Sequence, residues 1–303
     1  MSMIDLTRLP APTIIEEIDY EAMQRAFLAR YKAQWTIEST VDPTLPQWDV
    51  DELETDPVVI ASQPWTFLRQ LDRARVNDAV CAVLAPLAKG DDLDNVVARI
   101  GVERLTITPA TATEAAVMES DERLLTRYLL AFARPAAGSP ERYLYEAMTA
   151  WPTLLHAAVI GRAVHGRRGD VDLVIAGPGG RDATADELSL VRAACGSTSV
   201  KPEATALNVL RATRRVYTVA GRIVVPPGPD AEAVRTEAVA RLAVAGAARM
   251  LIGAEVPRDL LSGAIYGLSV TRADLTAPAA DIPADPYTIP VQGDVSLTVE
   301  VVG

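Results

Sequence analysis

The hydrophobic pattern changes period part-way along the chain. Apolar residues first recur at helical spacing and later mostly alternate. Ile14, Ile18, Ala22, Phe27 and Tyr31 predict a helix with one buried stripe. The stretch 35–64 interrupts that rhythm with Pro43, Pro46, Pro57 and Pro64 and predicts loop, in which Asp56-Pro57 opens only a short apolar turn at Val58-Val59-Ile60. From Trp65 to Leu87 the spacing predicts the longest helix, with Trp65, Leu68, Leu71, Val76 and Val80 on its apolar side and Arg69, Asp72, Arg73, Arg75 and Asp78 among its charges. Lys89-Gly90 breaks it. Asp91 and Asp92 are placed to cap a further helix through Leu93, Val96 and Ile100, and Gly101 suits that helix's left-handed C-terminal position.

Residues 106–118 carry neither period and mark a boundary. Ser120 begins a helix that buries Leu124, Leu125, Tyr128 and Phe132, and a second helix, Glu141–Ala150, is halted by Trp151-Pro152. Two strands follow, Leu155–Gly161 and Gly169–Ile175, the second alternating Val171, Leu173 and Ile175 against Asp170, Asp172 and Val174. A Gly177-Pro-Gly-Gly180 loop, a helix over 184–194 and a strand through Thr205, Leu207 and Val209 complete the unit. A similar order then recurs loosely: strand Arg215–Val225, helix Ala231–Ala245 capped by Asp230, a short helix over 259–266, and strands Leu268–Leu275 and Val295–Val302. Between the last two, Pro278–Pro290 predicts a proline-rich surface excursion. The fold class expected is α+β, a helical N-terminal module followed by two small mixed α/β-sheet domains. The boundaries expected are an extended arm over 1–12, helical module 13–105, linker 106–118, first α+β domain with its leading helical pair 119–205, and second α+β domain 206–303.

Charge narrows the function. With 40 acidic and 29 basic residues the formal net charge is -11, and the short basic groups 162–168 and 211–215 lack interleaved aromatics, so neither nucleic acid nor an anionic membrane is an expected partner. No apolar run is long enough to span a bilayer, and the N-terminus predicts no secretory signal. Cys81 and Cys195 read as buried free thiols. His156 and His165 lack a metal-ligand spacing, and Asp91, Asp92 and Asp94 lack the alternating ligands and late glutamate of a calcium loop. Gly177–Gly180 has no Gly-Lys-Ser/Thr after it and Pro178 removes a donor, so a tight turn is expected rather than a phosphate cradle. Ser197, Ser199 and Ser262 have no histidine nearby in sequence. The expectation is therefore an interaction protein with no catalytic residue, metal or cofactor. The alternative is a hydrolase or other small-molecule enzyme whose site is assembled in space.

Several short motifs occur in one order: Ile4-Asp-Leu-Thr-Arg-Leu-Pro-Ala-Pro12, Arg73-Ala-Arg-Val-Asn-Asp-Ala79, Gly90-Asp-Asp-Leu-Asp94, Gly101-Val-Glu-Arg104, Glu119-Ser-Asp-Glu-Arg-Leu124 and the late Asp259-Leu-Leu-Ser-Gly-Ala-Ile-Tyr266. Together they resemble the baseplate assembly protein J family of contractile-tailed, P2-like phages and phage-tail-like bacteriocins, along essentially the whole chain. The stretch 35–64, with Trp48 and its prolines, departs most from the family pattern. The resemblance implies a main wedge subunit in a virion baseplate assembled in the bacterial host cytoplasm. Two copies, in nonequivalent positions, would pair with one smaller tail protein, I. Six wedges would surround the central hub, with contacts to neighbouring wedges and to a sheath-proximal or lysozyme-like baseplate protein. The helical part would join a core bundle and the C-terminal domains would link wedges into a ring. On that reading Ile4 and Leu9 of the arm, with Trp65, Leu68, Leu71 and Val76, supply packing, while Arg69, Arg73, Arg75, Asn77 and Asp78 supply polar contacts within a wedge. Tyr266, Asp281, Asp285, Tyr287 and Asp294 are the candidates for contacts between wedges.

Overall fold

The computed structural model describes residues 10, 12–50, 53–228 and 230–302. Ile4 and Leu9, with most of the arm expected over 1–12, lie outside the described residues. Contacts divide the chain into two compact units, Met1–Glu103 and Arg104–Gly303.

The first unit is helical, with corrected boundaries. Asp19 accepts the Ala22 N–H and so starts α1 (Tyr20–Val41) after Ile14 and Ile18. The helix runs past Tyr31 because its aromatic row continues: Tyr31 stacks on Trp35 and meets Trp48 edge-on at 5.0 Å, and Trp35 Nε1 donates to the Pro46 carbonyl at 2.8 Å. The second helix, α2 (Pro57–Val83), begins inside the stretch expected as loop. Asp56 caps it, and Pro57 sits in the first turn, where a missing N–H removes no helical bond. Pro64 lies in the helix interior and does remove one. Nearby carbonyls gain hydroxyl donors, Ser62 on Val59 at 2.6 Å and Thr66 on Ser62 at 2.7 Å. The third helix, α3 (Asp91–Ala98), follows Gly90 at φ 53°. No side chain caps it. Asp91 and Asp92 lie instead in its first turn, where their charge meets the positive end of the helix dipole.

The second unit opens with a two-stranded antiparallel ribbon, β1 (Thr106–Thr108) and β2 (Val117–Met118), within the segment expected as linker. The hydroxyls of Ser120 and Ser139 cap α4 (Asp121–Ala131) and α5 (Pro140–Ala150). Then come β3 (His156–Ile160), a four-residue α6 (Arg162–His165), β4 (Asp170–Ala176), α7 (Ala185–Cys195) and β5 (Ala206–Arg211). The sheet order is β3-β4-β5, antiparallel then parallel, and α5 and α7 bury Tyr143, Ala147, Leu173, Ile175 and Val191 against one face.

A second sheet combines β6 (Thr213–Val225), β7 (Arg272–Ala277) and β8 (Thr288–Val301) in the order β7-β6-β8, again with one antiparallel and one parallel neighbour at the centre. Its helices α8 (Ala231–Ala248) and α9 (Arg258–Ile265) pack Ala238, Leu242, Leu261 and Ile265 on Val219 and Ile223. The α+β class therefore holds. The recurrence is partial, because the antiparallel edge strand precedes the central strand in one sheet and follows the helices in the other.

Both faces of β4 are covered: Asp172 and Val174 are 1% and 0% exposed, because Ala212, Ile252, Ile289 and Val291 pack on their side. The proline-rich segment is less of an excursion than expected. Ile282 bridges Val256, and residues from Thr288 onward already belong to β8, where Ile289 is fully buried.

Candidate interaction surfaces

The packing of α1 on α2 decides what the helical unit shows to solvent. The side of α2 that is buried carries Val59, Ser62 and Thr66, and Gln24 of α1 donates to the Ser62 hydroxyl at 2.9 Å. Larger apolar residues face away. Ile60, Phe67, Leu68 and Leu71 remain 52%, 54%, 61% and 50% exposed. At a turn of about 100° per residue these four share an arc of about 100°, roughly opposite the buried residues. Trp65 and Val76 are exposed beside that stripe, although Trp65 also meets Phe27 with ring centroids 4.8 Å apart. Leu68, Leu71, Trp65 and Val76 were legible as an apolar helix side. Ile60 fell in the stretch expected as loop, and Phe67 became its neighbour on one stripe only once the helix extended back to Pro57.

The polar residues of α2 behave less uniformly than expected. Arg69 pairs with Asp72 at 3.6 Å on the surface, and Arg75 and Asp78 are exposed. Arg73 and Asn77 instead hold this chain's own Glu16. Arg73 binds its carboxylate at 2.8 Å, while the Asn77 amide accepts the Glu16 N–H at 3.2 Å and donates to its carbonyl at 2.9 Å. That pairing fixes the approach to α1 along α2.

In the second unit, Tyr266 is 45% exposed and its hydroxyl accepts the Ala273 N–H at 3.2 Å. Asp281 accepts the first N–H of α9, from Arg258, at 2.7 Å, and Asp285 accepts the Tyr287 N–H at 2.9 Å. Asp294 is exposed, where β8 bulges against the step from Tyr217 to Val219. Tyr287 reaches inward and donates to Asp172 at 2.7 Å. Asp172 also receives Arg167, at 2.5 and 2.6 Å, and Asn208 at 3.0 Å. Burial, the largest single influence, pushes the Asp172 carboxyl up, but these hydrogen bonds together outweigh it and hold the group below the ordinary carboxylate range. Nearby, His156 Nδ1 accepts the Ile252 N–H at 3.1 Å, and burial depresses the imidazole below its usual value. Gly180 completes this junction between the sheets. At φ 71°, it carries no side chain because a Cβ would stand 2.6 Å from Val291.

A second buried network joins two of the sequence motifs. Glu119 and Arg127, each 2% exposed, pair at 2.6 Å, and Glu119 also accepts the Leu105 N–H at 3.2 Å. Arg104 donates to the Glu119 carbonyl at 2.6 Å and to Asp121 at 2.7 Å. Arg123 lies 3.4 Å from Glu119 and donates to the Leu154 carbonyl at 2.6 Å. The sequence signal was present in Gly101–Arg104 and Glu119–Leu124, but not the contact between them. Of the thiols, Cys195 is buried and pushed up to about 12 by burial, whereas Cys81 is half-buried. His165 accepts the Arg167 N–H at 3.0 Å, and Ser197 and Ser199 lie 3.2 Å apart. Among the described residues no group of three or more His, Cys, Asp or Glu side chains is arranged to hold a metal ion.

Comparison with known proteins places these surfaces in context. The family profile described as Baseplate J-like N-terminal domain matches residues 54–111, which include all of α2 and α3. Baseplate protein J of Escherichia phage P2 is 31% identical over 298 residues, covering 93% of each chain. A chain of the solved structure entitled "Cryo-EM structure of the anti-feeding prophage (AFP) baseplate, 6-fold symmetrised" aligns at 14% identity with a TM-score of 0.41; the alignment covers 61% of this chain and 47% of that one.

Proposed function

The chain belongs to the baseplate protein J family and is a structural component of a virion or tail-like baseplate; on that premise we propose that it is a wedge subunit. Two copies in nonequivalent positions pair with one smaller tail protein, I, and six such wedges surround the central hub. The helical unit enters the bundle of each wedge. The second unit meets neighbouring wedges and a sheath-proximal or lysozyme-like baseplate protein, with Tyr266, Asp281, Asp285, Tyr287 and Asp294 near those contacts. The particle assembles in the host cytoplasm, and the role is assembly rather than catalysis.

One observation carries the reading: within its own chain α2 buries Val59, Ser62 and Thr66, and it leaves the larger Ile60, Phe67, Leu68 and Leu71 about half exposed or more. Fully burying a large aliphatic or aromatic side chain is worth about 1.5–3 kcal/mol, so covering the remaining half of each contributes about 1 kcal/mol. Such a stripe suits a helix-lined partner surface, with Trp65 and Val76 beside it, Arg75 and Asp78 one to two turns further along it, and Arg69 on the far side of the helix. Arg73 and Asn77 act through Glu16, which they already hold. The test is the double variant Leu68→Asp/Leu71→Asp, with co-purification of wedges as the readout. A folded protein that no longer enters wedges is expected, whereas normal wedges would sink the assignment. Mass measurement of assembled baseplates should give twelve copies, and six equivalent copies would refute the pairing.

A further inference from the structure

The β5 side of the first sheet is an open edge beside α7, and residues there line a groove of about 470 Å³ that includes Arg192, Gly196, Ser197, Lys201, Thr205 and Leu207. The backbone bonds define what this edge presents. Ala206 donates its N–H to Gly169 at 2.8 Å, and Ala212 donates to Ile175 at 2.9 Å. Alternate residues Ala206, Asn208 and Leu210 therefore direct their N–H and C=O groups at β4, and those of Leu207 and Val209 point to the free side. Two carbonyls on that side are already taken by cations. Lys201 Nζ donates to Thr205 O at 2.9 Å, and Arg192 donates to Val209 O at 3.4 Å.

The groove is consequently rich in donors: the Leu207 N–H, the Lys201 ammonium, the Arg192 guanidinium and the Ser197 hydroxyl line it, while Val209 is 3% exposed with Arg192 on its carbonyl. Among the described residues, each cation is bonded to a backbone carbonyl. In a chain of net charge -11 this is a locally inverted surface, and it complements an acceptor-rich ligand. Its geometry is linear as well. Thr205 and Val209 are four residues apart on one strand, which at about 3.3 Å per residue sets the two cations about 13 Å apart. Carboxylates four residues apart on one face of another extended strand have the same spacing.

We propose that the groove between α7 and β5 binds an extended acidic segment of another polypeptide, which adds as a strand beside β5 and sets two carboxylates, four residues apart, on Lys201 and Arg192. On docking, the cations move from the β5 carbonyls to the carboxylates, and the freed edge pairs with the incoming backbone. Held on those carbonyls, Lys201 and Arg192 also protect this edge from indiscriminate pairing, so that only a segment offering acids at the right spacing displaces them.

The test uses the full chain and a fluorescently labelled, end-blocked peptide of sequence Asp-Val-Thr-Val-Asp, followed by anisotropy and by amide resonances of the labelled protein. Saturable binding is expected, with the Leu207 and Val209 amides shifting. Affinity should fall at least tenfold in Arg192→Gln/Lys201→Gln and with a peptide carrying Asn in place of both acids, and should vanish for a fully N-methylated peptide. Both substituted side chains lie at the surface of the groove, and an unchanged circular dichroism spectrum checks the fold. Absence of saturation at millimolar peptide overturns the proposal. So does equal binding by the N-methylated peptide, which would reveal a plain cationic patch, or tighter binding of inorganic phosphate or an oligothymidylate, which would assign the groove to a different ligand.

Discussion

Removing Glu119 should be far more damaging than removing any ion pair on the surface of the same unit. The carboxylate is fully enclosed, its partner Arg127 is 2% exposed, and their 2.6 Å contact is supported by the Leu105 N–H. Glu119→Ala leaves the Arg127 charge buried without its counter-ion, and losses of that kind run to about 3–5 kcal/mol. The comparison is Arg222, which bridges Asp274 and Glu300 across the second sheet while 48% exposed. Exposed pairs are screened and their side chains lose entropy on ordering, so Arg222→Ala should cost far less than Glu119→Ala. For a unit of this size each kcal/mol displaces the melting temperature by about 2–4 °C, giving a drop of about 6–20 °C for the first variant and a much smaller one for the second. Urea unfolding monitored by circular dichroism separates them, with a midpoint shift of about 1.5–2.5 M for Glu119→Ala if m is about 2 kcal/mol per molar and a far smaller shift for Arg222→Ala. A Glu119→Leu/Arg127→Met double variant should recover part of the loss, because it removes both charges at once. A Glu119→Ala cost below 1 kcal/mol, or equal costs for Glu119 and Arg222, would refute the reasoning from burial.

Three further outcomes follow from the same unit. Tyr287→Phe deletes one hydrogen bond to a buried carboxylate and should cost about 1.5–3 kcal/mol by urea unfolding; a double-mutant cycle with Asp172→Asn that shows no coupling would dissociate the pair. His156 is held neutral, with its folded value below the unfolded value of about 6.5, so its contribution is complete above that pH and is lost as pH falls through the folded value. His156→Asn keeps an acceptor without the titration and should flatten the melting temperature below about pH 6.5; an unchanged slope would remove His156 as its cause. Glu187 is lowered to about 2, first by its hydrogen bond from Arg181 and further by the Thr184 capping box, so its stabilisation is present above the unfolded value of about 4.3 and disappears as pH falls through about 2. Glu187→Gln should weaken that acid transition, and a wild-type acid profile would contradict it.

What could be read from the chain was whatever a few neighbouring residues decide. Ser120 and Asp230 each cap a helix at the predicted place because the cap and its recipient lie within three positions. The prolines misled for an equally local reason: Pro57 is harmless in a first turn, and Pro64 is tolerated beside the hydroxyl donors of Ser62 and Thr66, which counting prolines ignores. Long-range pairs left only indirect traces. Asp172 alternated correctly within its strand, yet the meaning of its face depended on Tyr287, 115 positions away, and that of His156 on Ile252, 96 away.

The interaction surface exposes a different limit. Leu68 and Leu71 were identifiable as one apolar side of a helix, but periodicity reports that a face is apolar and is silent about what covers it. The decisive facts were that Ser62, rather than the leucines, receives Gln24 of α1 and Thr66 is buried, and that the helix begins early enough to add Ile60 to Phe67, Leu68 and Leu71. Smaller residues, two of the three polar, on the intrachain side and large apolar ones on the other invert the order that would bury most apolar area in a lone chain. That inversion is sensible if the outer stripe is covered after folding, since a helix shared between two contacts can leave the tighter approach to small side chains and reserve its larger apolar area for the second partner.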